Sequence, residues 1–306
     1  MKCKRKDENH NGKDRELAFP GLGRTFLAVM TQPRLLRRSL RCISVIFTRF
    51  FLFQYRRALF PVLPVSRADH VLDDRIPFNP RLIRIYLDFT ALWIRIAGLL
   101  STGFGKRGRN LAAGFIASIT GLYLFAFEIY RKNLSTTDRP NYKKGRYFRL
   151  IHLVDPHLMC IPSLHVMLMV HSYTAFRHFL KLLEKEEDLW QLREKVYRSA
   201  LMITEAVLYV KQHSINCIGA ALYAVHRYDP SLFSVEDAEA FINDLFAQKE
   251  AKDIPPEYAP FYTYPFIAQE DIPLLREHIR GLFRSFLDAK SADWTIPVLE
   301  YLQNLP

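Results

Sequence analysis

Apolar runs separated by short basic or polar segments make up much of the chain before residue 230. The cleanest run, residues 111–130, is about as long as the roughly 20 apolar residues that cross a bilayer. Its one charged residue is Glu128, near the end, and small side chains recur along it, as in membrane helices that pack closely. The pattern predicts a membrane-spanning helix, with a buried helix of a soluble core as the alternative.

Other apolar runs predict further helices of the same bundle. Residues 85–104 and 163–180 approach the length of a span, whereas residues 197–212 and 214–228 are shorter. Residues 42–65 are apolar and aromatic but carry three arginines, a composition typical of a helix at the membrane interface. Together with the run above, these segments predict an all-α, multi-pass membrane bundle of about six helices.

Composition divides the chain into three predicted parts. Residues 1–41 are polar and strongly basic, and we expect an N-terminal tail that is either disordered or held on the membrane surface. No apolar core with a small-residue cleavage site occurs there, so we expect no removable signal peptide. Residues 42–229 form the predicted membrane-embedded domain. Residues 230–306 are acidic and punctuated by proline, which predicts a small soluble helical extension at the C-terminus.

The net charge of +12 and the pI near 9.5 suit an anionic membrane surface or nucleic acid. The basic residues flank apolar runs and no nucleic-acid-binding motif occurs, so a membrane partner is favoured and no nucleic-acid partner is expected. The four cysteines are scattered without a CxxC pair. We therefore expect no disulfide framework, no metal site and no cofactor.

The stretch from Met159 to Met167 combines a helix start, a hydroxyl and an imidazole within a few residues. Proline and serine are both favoured where a helix begins, so Ser163 is the predicted cap of the next helix. The start of a helix attracts phosphate through its free N–H groups and its dipole. His165 would lie one turn inside and could exchange a proton there; alternatively, Ser163 only caps and His165 is bonded in a core.

Two further polar groups stand on either side of this stretch. Upstream, Lys132 is followed by Arg139 after six residues, and downstream Lys211 precedes His213 by two. In this order, the groups resemble the three-part signature of the type-2 phosphatidic acid phosphatase superfamily. The Pro-Ser-Leu-His form is similar to the branch that includes inositol-phosphorylceramide-synthase-type enzymes. The resemblance covers about residues 130–228.

The resemblance implies a membrane-bound lipid phosphatase or head-group phosphotransferase that needs no metal. It implies that His213 attacks phosphorus to form a phosphohistidine and that His165 protonates the leaving alcohol and later takes a proton from water. Phosphate would be bound by a set of cationic and hydroxyl side chains, which are Lys132, Arg139, Ser163 and Lys211. We expect these six residues to line one pocket. Positive-inside bias puts the N-terminal tail in the cytoplasm and the motifs on the extracytoplasmic face, although the inverted orientation stays open.

The third motif departs from the family pattern at two positions. Val207 stands where the family has arginine, and Lys211 is the candidate substitute. Cys217 stands where the family has an acidic residue that orients the attacking imidazole, a task that a thiol does not perform. Glu205 and Asp155 are candidates to supply that carboxylate. The main alternative function is therefore a non-catalytic relative that binds lipid phosphate or acts as a membrane scaffold, and a nucleic-acid binder is the remaining one.

Overall fold

The computed structural model describes residues 19–142, 144–247, 254–262 and 267–305. Helices contain 69% of these residues, which confirms the mostly helical prediction. The α-helices are α1 (Leu22–Met30), α2 (Pro33–Val45), α3 (Leu52–Leu59), α4 (Ile83–Gly103), α5 (Gly105–Tyr130), α6 (Arg146–Val154), α7 (Leu164–Leu183), α8 (Trp190–Tyr209), α9 (Ile215–Tyr228), α10 (Val235–Asp244), α11 (Asp271–Asp288) and α12 (Thr295–Gln303). A π-helical turn, Ile46–Phe51, joins α2 to α3, and short 3₁₀ turns occupy Val71–Arg75 and Pro80–Leu82.

The centre of the molecule is a bundle of α4, α5, α7, α8 and α9, in which α7 contacts each of the other four. Large side chains such as Phe115, Phe176 and Tyr223 are fully buried between these helices. Two opposite charges inside the apolar α4, Asp88 and Arg95, pair with each other at 3.2 Å. This pairing offsets the cost of holding charges among apolar neighbours.

Only α5 among the described helices is long and apolar enough to cross a membrane, and 61% of its apolar stretch is buried inside the protein. The structure thus does not supply the predicted six or so membrane-length apolar helices. The reason lies in length and charge: α9 has only 14 residues, and α8 begins at Trp190, so that it includes charged residues before the apolar run predicted over 197–212.

Within the predicted N-terminal tail, α1 and the first part of α2 are helical and packed, while residues 1–18 lie outside the described residues. Helix α1 packs on α4 and α2 packs on α5. The approach of α1 is close, because a Cβ atom added at Gly98 would lie 2.2 Å from the Thr25 hydroxyl oxygen. Helix α2 also continues past residue 41, where the domain boundary was predicted.

The C-terminal helices pack along the bundle. Helix α11 lies on α9, with Leu275, Ile279 and Phe283 buried. Helix α12 reaches the other side, where the Ser66 hydroxyl donates a hydrogen bond to the Leu302 carbonyl at 2.7 Å. An acidic composition does not prevent one face of a helix from being apolar, and these helices pack by such faces.

A two-stranded parallel sheet was not predicted. Strand β1 (Val65–Arg67) pairs with β2 (Leu134–Thr136). Ser135 of β2 also bridges to Met159, just before α7. The sheet is small, but it ties the segment after α5 to the start of α7, and this connection shapes the candidate site.

Candidate functional site

Two histidines from separate parts of the chain are in contact. Nδ1 of His165 lies 3.1 Å from Nε2 of His213, within hydrogen-bond distance. His165 is in the first turn of α7, and His213 lies in the turn between α8 and α9. The sequence contains ten histidines, and these two belong to different predicted motifs.

Capped helix starts hold the two histidines in place. The Ser163 hydroxyl accepts from the Val166 N–H at 3.5 Å, as the predicted cap of α7, and the Ser214 hydroxyl accepts from the Asn216 N–H at 3.3 Å. The backbone N–H of Ser163 donates to the Cys217 carbonyl at 3.2 Å. This bond joins the first turns of α7 and α9, so that the two imidazoles meet.

Aromatic rings enclose His165. The ring centroids of Tyr86 and Phe89, both from α4, lie 4.7 Å and 4.2 Å from its centroid. These contacts restrict the imidazole to the orientation that points Nδ1 at His213. The sequence alone did not identify Tyr86 and Phe89 as neighbours of His165, because α4 also carries Trp93 and nothing local distinguishes one aromatic residue from another.

His213 is buried, with 7% of its surface exposed. Burial lowers the pKa of His213 well below its ordinary value, and the nearby His165, His157 and Arg139 lower that pKa further. The imidazole is therefore neutral at neutral pH, as a nucleophile must be. Its Nδ1 atom is buried and has no hydrogen-bond partner among the described residues.

Arg139 is fixed by the segment that precedes α7. Its guanidinium donates to the Asp155 carbonyl at 3.1 Å and to the Asp155 carboxylate at 2.7 Å. The other carboxylate oxygen of Asp155 accepts from the His157 N–H at 2.9 Å. The Nε atom of Arg139 is buried and without a partner in the described parts of the chain. It is thus a donor that a bound anion could satisfy.

The small sheet brings Arg139 to the histidines. The Ser135 hydroxyl accepts from the backbone N–H groups of Cys160 at 3.2 Å and Ile161 at 2.7 Å. Strand β2 therefore runs beside the segment that leads into α7, and Arg139 follows that strand by three residues. This pairing is long-range and could not be inferred from the motif spacing.

A third histidine, His157, lies near Arg139 in a buried polar cluster. Nε2 of His157 is 2.7 Å from the Thr137 hydroxyl, and the Cys160 sulfur is 3.6 Å from the same nitrogen. Burial, together with the charge of Arg139, lowers the pKa of His157 to about 3. Burial also raises the pKa of the Cys160 thiol. Both groups are therefore neutral, which limits this cluster to positioning.

Lys211 precedes His213 by two residues and has a left-handed backbone conformation, with φ of 54°. Its ammonium donates to the Asp73 carbonyl at 2.5 Å. The Asp73 carboxylate accepts from the Ile215 N–H at 2.9 Å and from the His70 N–H at 2.8 Å. The loop before α4, which carries Asp73, therefore holds both Lys211 and the start of α9.

Lys132 is the one predicted site residue that the structure places elsewhere. Its ammonium donates to the Thr295 hydroxyl at 3.1 Å, next to α12. It lines a separate cavity with Pro64 and Leu302. The structure brings His165, His213, Arg139 and Lys211 to one region, and Ser163 is fully buried beneath them as a cap.

Two cavities meet at the histidine pair. A polar cavity of about 570 Å³ is lined by His213, Arg139 and Lys211, and by four carboxylates of which three precede α4. Those carboxylates are Asp69, Asp73, Asp74 and Asp138. An apolar cavity of about 370 Å³ is lined by His165, by Asp155 and by aromatic and aliphatic side chains. The contact between the two imidazoles thus separates a polar space from an apolar one.

Neither acid suggested for orienting His213 is bonded to its free nitrogen. Glu205 accepts from the Phe246 N–H at 2.8 Å, and Asp155 is paired with Arg139. Cys217 is fully buried at the start of α9. No group of three or more His, Cys, Asp or Glu side chains in the described parts of the chain could hold a metal ion.

Comparison with protein-family models, with curated proteins and with solved structures gives no match to this chain.

Proposed function

We propose that this protein is a membrane-bound, metal-independent lipid phosphatase or head-group phosphotransferase that acts through a phosphohistidine on His213. One observation carries the proposal: the pair of His165 and His213 lies where a polar cavity with Arg139 meets an apolar cavity. An amphiphile with a phosphate and a hydrocarbon part matches both spaces. The resemblance of the three motifs to type-2 phosphatidic acid phosphatases supports the same reaction.

The first step forms a bond between Nε2 of His213 and phosphorus. Nε2 must carry the lone pair, so Nδ1 holds the ring proton of the neutral imidazole. The P–O bond to the lipid alcohol breaks, and the leaving oxygen takes a proton from the imidazolium form of His165, which becomes neutral. Because the two nitrogens are only 3.1 Å apart, the contact must open to admit the phosphoryl group.

The second step breaks the N–P bond. His165, now neutral, takes a proton from water or from an acceptor alcohol, whose oxygen attacks phosphorus. Water releases inorganic phosphate, and an alcohol gives a new phosphate ester. Arg139 and Lys211 supply positive charge to the phosphoryl oxygens in both steps, the arginine through its unpartnered Nε.

The membrane location is part of this proposal. Helix α5 has the length and composition of a span, and the basic N-terminal segment suits an anionic membrane face. The apolar cavity beside His165 gives the hydrocarbon part of a lipid a place to bind. Carbonate extraction of native membranes tests the location, and recovery of the protein in the soluble fraction would count against it.

A lipid-phosphate-binding or scaffold protein is the second candidate function. It is favoured by one observation, the buried Nδ1 of His213 that lacks the carboxylate partner expected at Cys217. A neutral imidazole without that partner is free to adopt the unreactive tautomer. Binding would still be possible through Arg139 and Lys211.

The test is incubation of the full chain with a ³²P-labelled lipid phosphate monoester in EDTA, followed by alkaline gel separation. The proposed reaction predicts acid-labile, base-stable label on the protein and release of labelled phosphate. If neither label nor phosphate appears while the lipid phosphate still binds, the second candidate function is the better one.

Replacement of Arg139 by glutamine is expected to lower kcat/KM by about 10-fold to 100-fold, through a higher KM, a lower kcat or both. A hydrogen bond to a charged group contributes roughly 1.5–3 kcal/mol, and each 1.4 kcal/mol is about tenfold. Lys132→Gln is the matched control, because Lys132 lines a different cavity and should change kcat/KM by less than about twofold. Equal losses in the two variants would contradict the site as the structure arranges it.

Cys217→Asp is expected to raise phosphate release by roughly tenfold, the lower end of what an orienting partner contributes. Position 217 is buried in the first turn of α9, four residues after His213, and is where the family resemblance implies the carboxylate that accepts a hydrogen bond from Nδ1. Cys217→Asn provides a neutral side chain of similar size. Thermal unfolding of each variant is the accompanying control, because a buried carboxylate without a partner is destabilising.

A further inference from the structure

The N-terminal helices expose two apolar stripes. On α1 the stripe consists of residues at helical spacing, which are Leu22, Phe26, Leu27 and Met30. On α2 and the π-helical turn, Leu40, Ile43 and Phe47 repeat at intervals of three and four residues and face the same way. Phe26 is 66% exposed and Ile43 61% exposed, in spite of the packing of both helices on the bundle. Most of the exposed large apolar side chains among the described residues lie between residues 22 and 71.

The same segment is strongly and uniformly basic. Between residues 19 and 68 the sequence has nine arginines and no aspartate or glutamate. Arg67 is paired with Asp138, and within the described ranges no other arginine of this segment is in a salt bridge. The arginines at positions 37, 41 and 49 are exposed beside the second stripe. Exposed apolar side chains flanked by unpaired arginines are typical of helices that lie in an anionic membrane interface.

The apolar surface continues to the entrance of the site. The Tyr55 hydroxyl donates to the Leu153 carbonyl and so joins α3 to α6, where Leu153 is 73% exposed. Phe50 and Phe51 line one part of the apolar cavity and Leu150 of α6 lines another. Because His165 lines that same cavity, a continuous apolar path connects this surface to the histidine pair.

We propose that the exposed faces of α1, α2, the π-helical turn and α6, which we call the N-terminal apolar surface, lie on an anionic lipid bilayer. A lipid then reaches His165 through the apolar cavity, a step that rests on the proposed function. A bilayer is favoured over a second copy of the chain, because two copies would bring unpaired arginines of the same sign together. An anionic bilayer supplies both negative head groups and hydrocarbon.

The proposed surface is tested by measuring how deeply single fluorescent labels on the full chain insert into the bilayer of vesicles. Cys3→Ser removes a cysteine outside the described residues, and the other three cysteines are buried. Bimane is attached at Ile43→Cys and, as the matched control, at Leu274→Cys on α11, which is 49% exposed. Brominated lipids in vesicles that contain anionic lipid should quench the label at Ile43→Cys and leave that at Leu274→Cys unchanged. Vesicles without anionic lipid should reduce the quenching by roughly half or more.

The link to the active site is tested by two substrates. The double variant Ile43→Glu/Phe47→Glu should hydrolyse lipid phosphate in vesicles roughly tenfold more slowly, because charged side chains resist burial in the interface. It should hydrolyse a water-soluble short-chain phosphate ester at the unchanged rate. Leu274→Glu should change neither rate.

Absence of quenching at Ile43→Cys, or an unchanged vesicle rate in the double variant of an active protein, overturns the proposal. If the unaltered protein hydrolyses neither substrate, the proposed function fails, whereas quenching at Ile43→Cys would still support the surface.

Discussion

His213→Ala is expected to carry no ³²P after incubation with labelled lipid phosphate and to release no phosphate above background. The reason is that Nε2 of His213 is the atom proposed to bond phosphorus, and no other imidazole has the same neighbours. His165 is enclosed by Tyr86 and Phe89 and faces the apolar cavity, so its nitrogen is not positioned to replace that of His213. The loss should therefore be complete, unlike the partial loss from a binding residue.

His178→Ala is the matched control, because His178 is exposed on α7, the helix that also carries His165. It should retain the label and the rate of the unaltered protein. His213→Gln keeps most of the buried volume and separates loss of the nucleophile from loss of folding, which circular dichroism on heating would report. Label retained by folded His213→Gln would remove His213 from the proposed role.

His165→Ala is expected to slow turnover of a lipid phosphate by roughly 10²–10⁴-fold, the usual contribution of a general acid. Nδ1 of His165 faces Nε2 of His213 at 3.1 Å, so a phosphoryl group admitted between them would have the nucleophile on one side and the proton donor on the side of the leaving oxygen. The rate should be measured as phosphate release in EDTA under saturating substrate.

The leaving group distinguishes a general acid from a residue with a structural role. With p-nitrophenyl phosphate the leaving oxygen needs no proton. His165→Ala should therefore slow phosphohistidine formation much less with this substrate than with a lipid phosphate. Attack by water still needs a base, so labelled intermediate should accumulate on His213. A loss of equal size for both substrates, without accumulation, would show that His165 acts only through the fold.

The positions of Lys132 and Arg139 show that a sequence motif does not by itself predict which of its residues share a site. The two residues are seven positions apart in the sequence, and the motif groups them. In the structure β2 lies between them and carries the chain away from α5, so Lys132 stays near α12 while Arg139 reaches Asp155. Strand pairing depends on partners that are distant in sequence, and no local pattern encoded it.

The N-terminal segment shows a different limit. Its basic, apolar composition predicts an interfacial helix over residues 42–65, but the helices before residue 42 were not predicted. Helix α1 packs against α4 where Gly98 leaves room for Thr25. Short helices are marginal in isolation and gain most of their stability from such packing.

The helix starts were determined by the sequence itself. Ser163 caps α7, and Ser214 caps α9. Capping needs only a hydroxyl within two or three residues of a free N–H group, so it is a local property. Because Ser163 caps α7, the sequence alone also places His165 in the first turn of that helix. The sequence alone likewise showed that Cys217 stands where the family resemblance implies a carboxylate.

Only the tertiary structure decided that His165 and His213 touch, that Arg139 is held by Asp155, and that a polar and an apolar cavity meet between them. The two histidines are 48 positions apart, and their contact depends on the packing of α7 against α8 and α9. Close packing selects one arrangement of helices from many that share the same apolar faces, because it depends on the shapes of side chains from several elements at once.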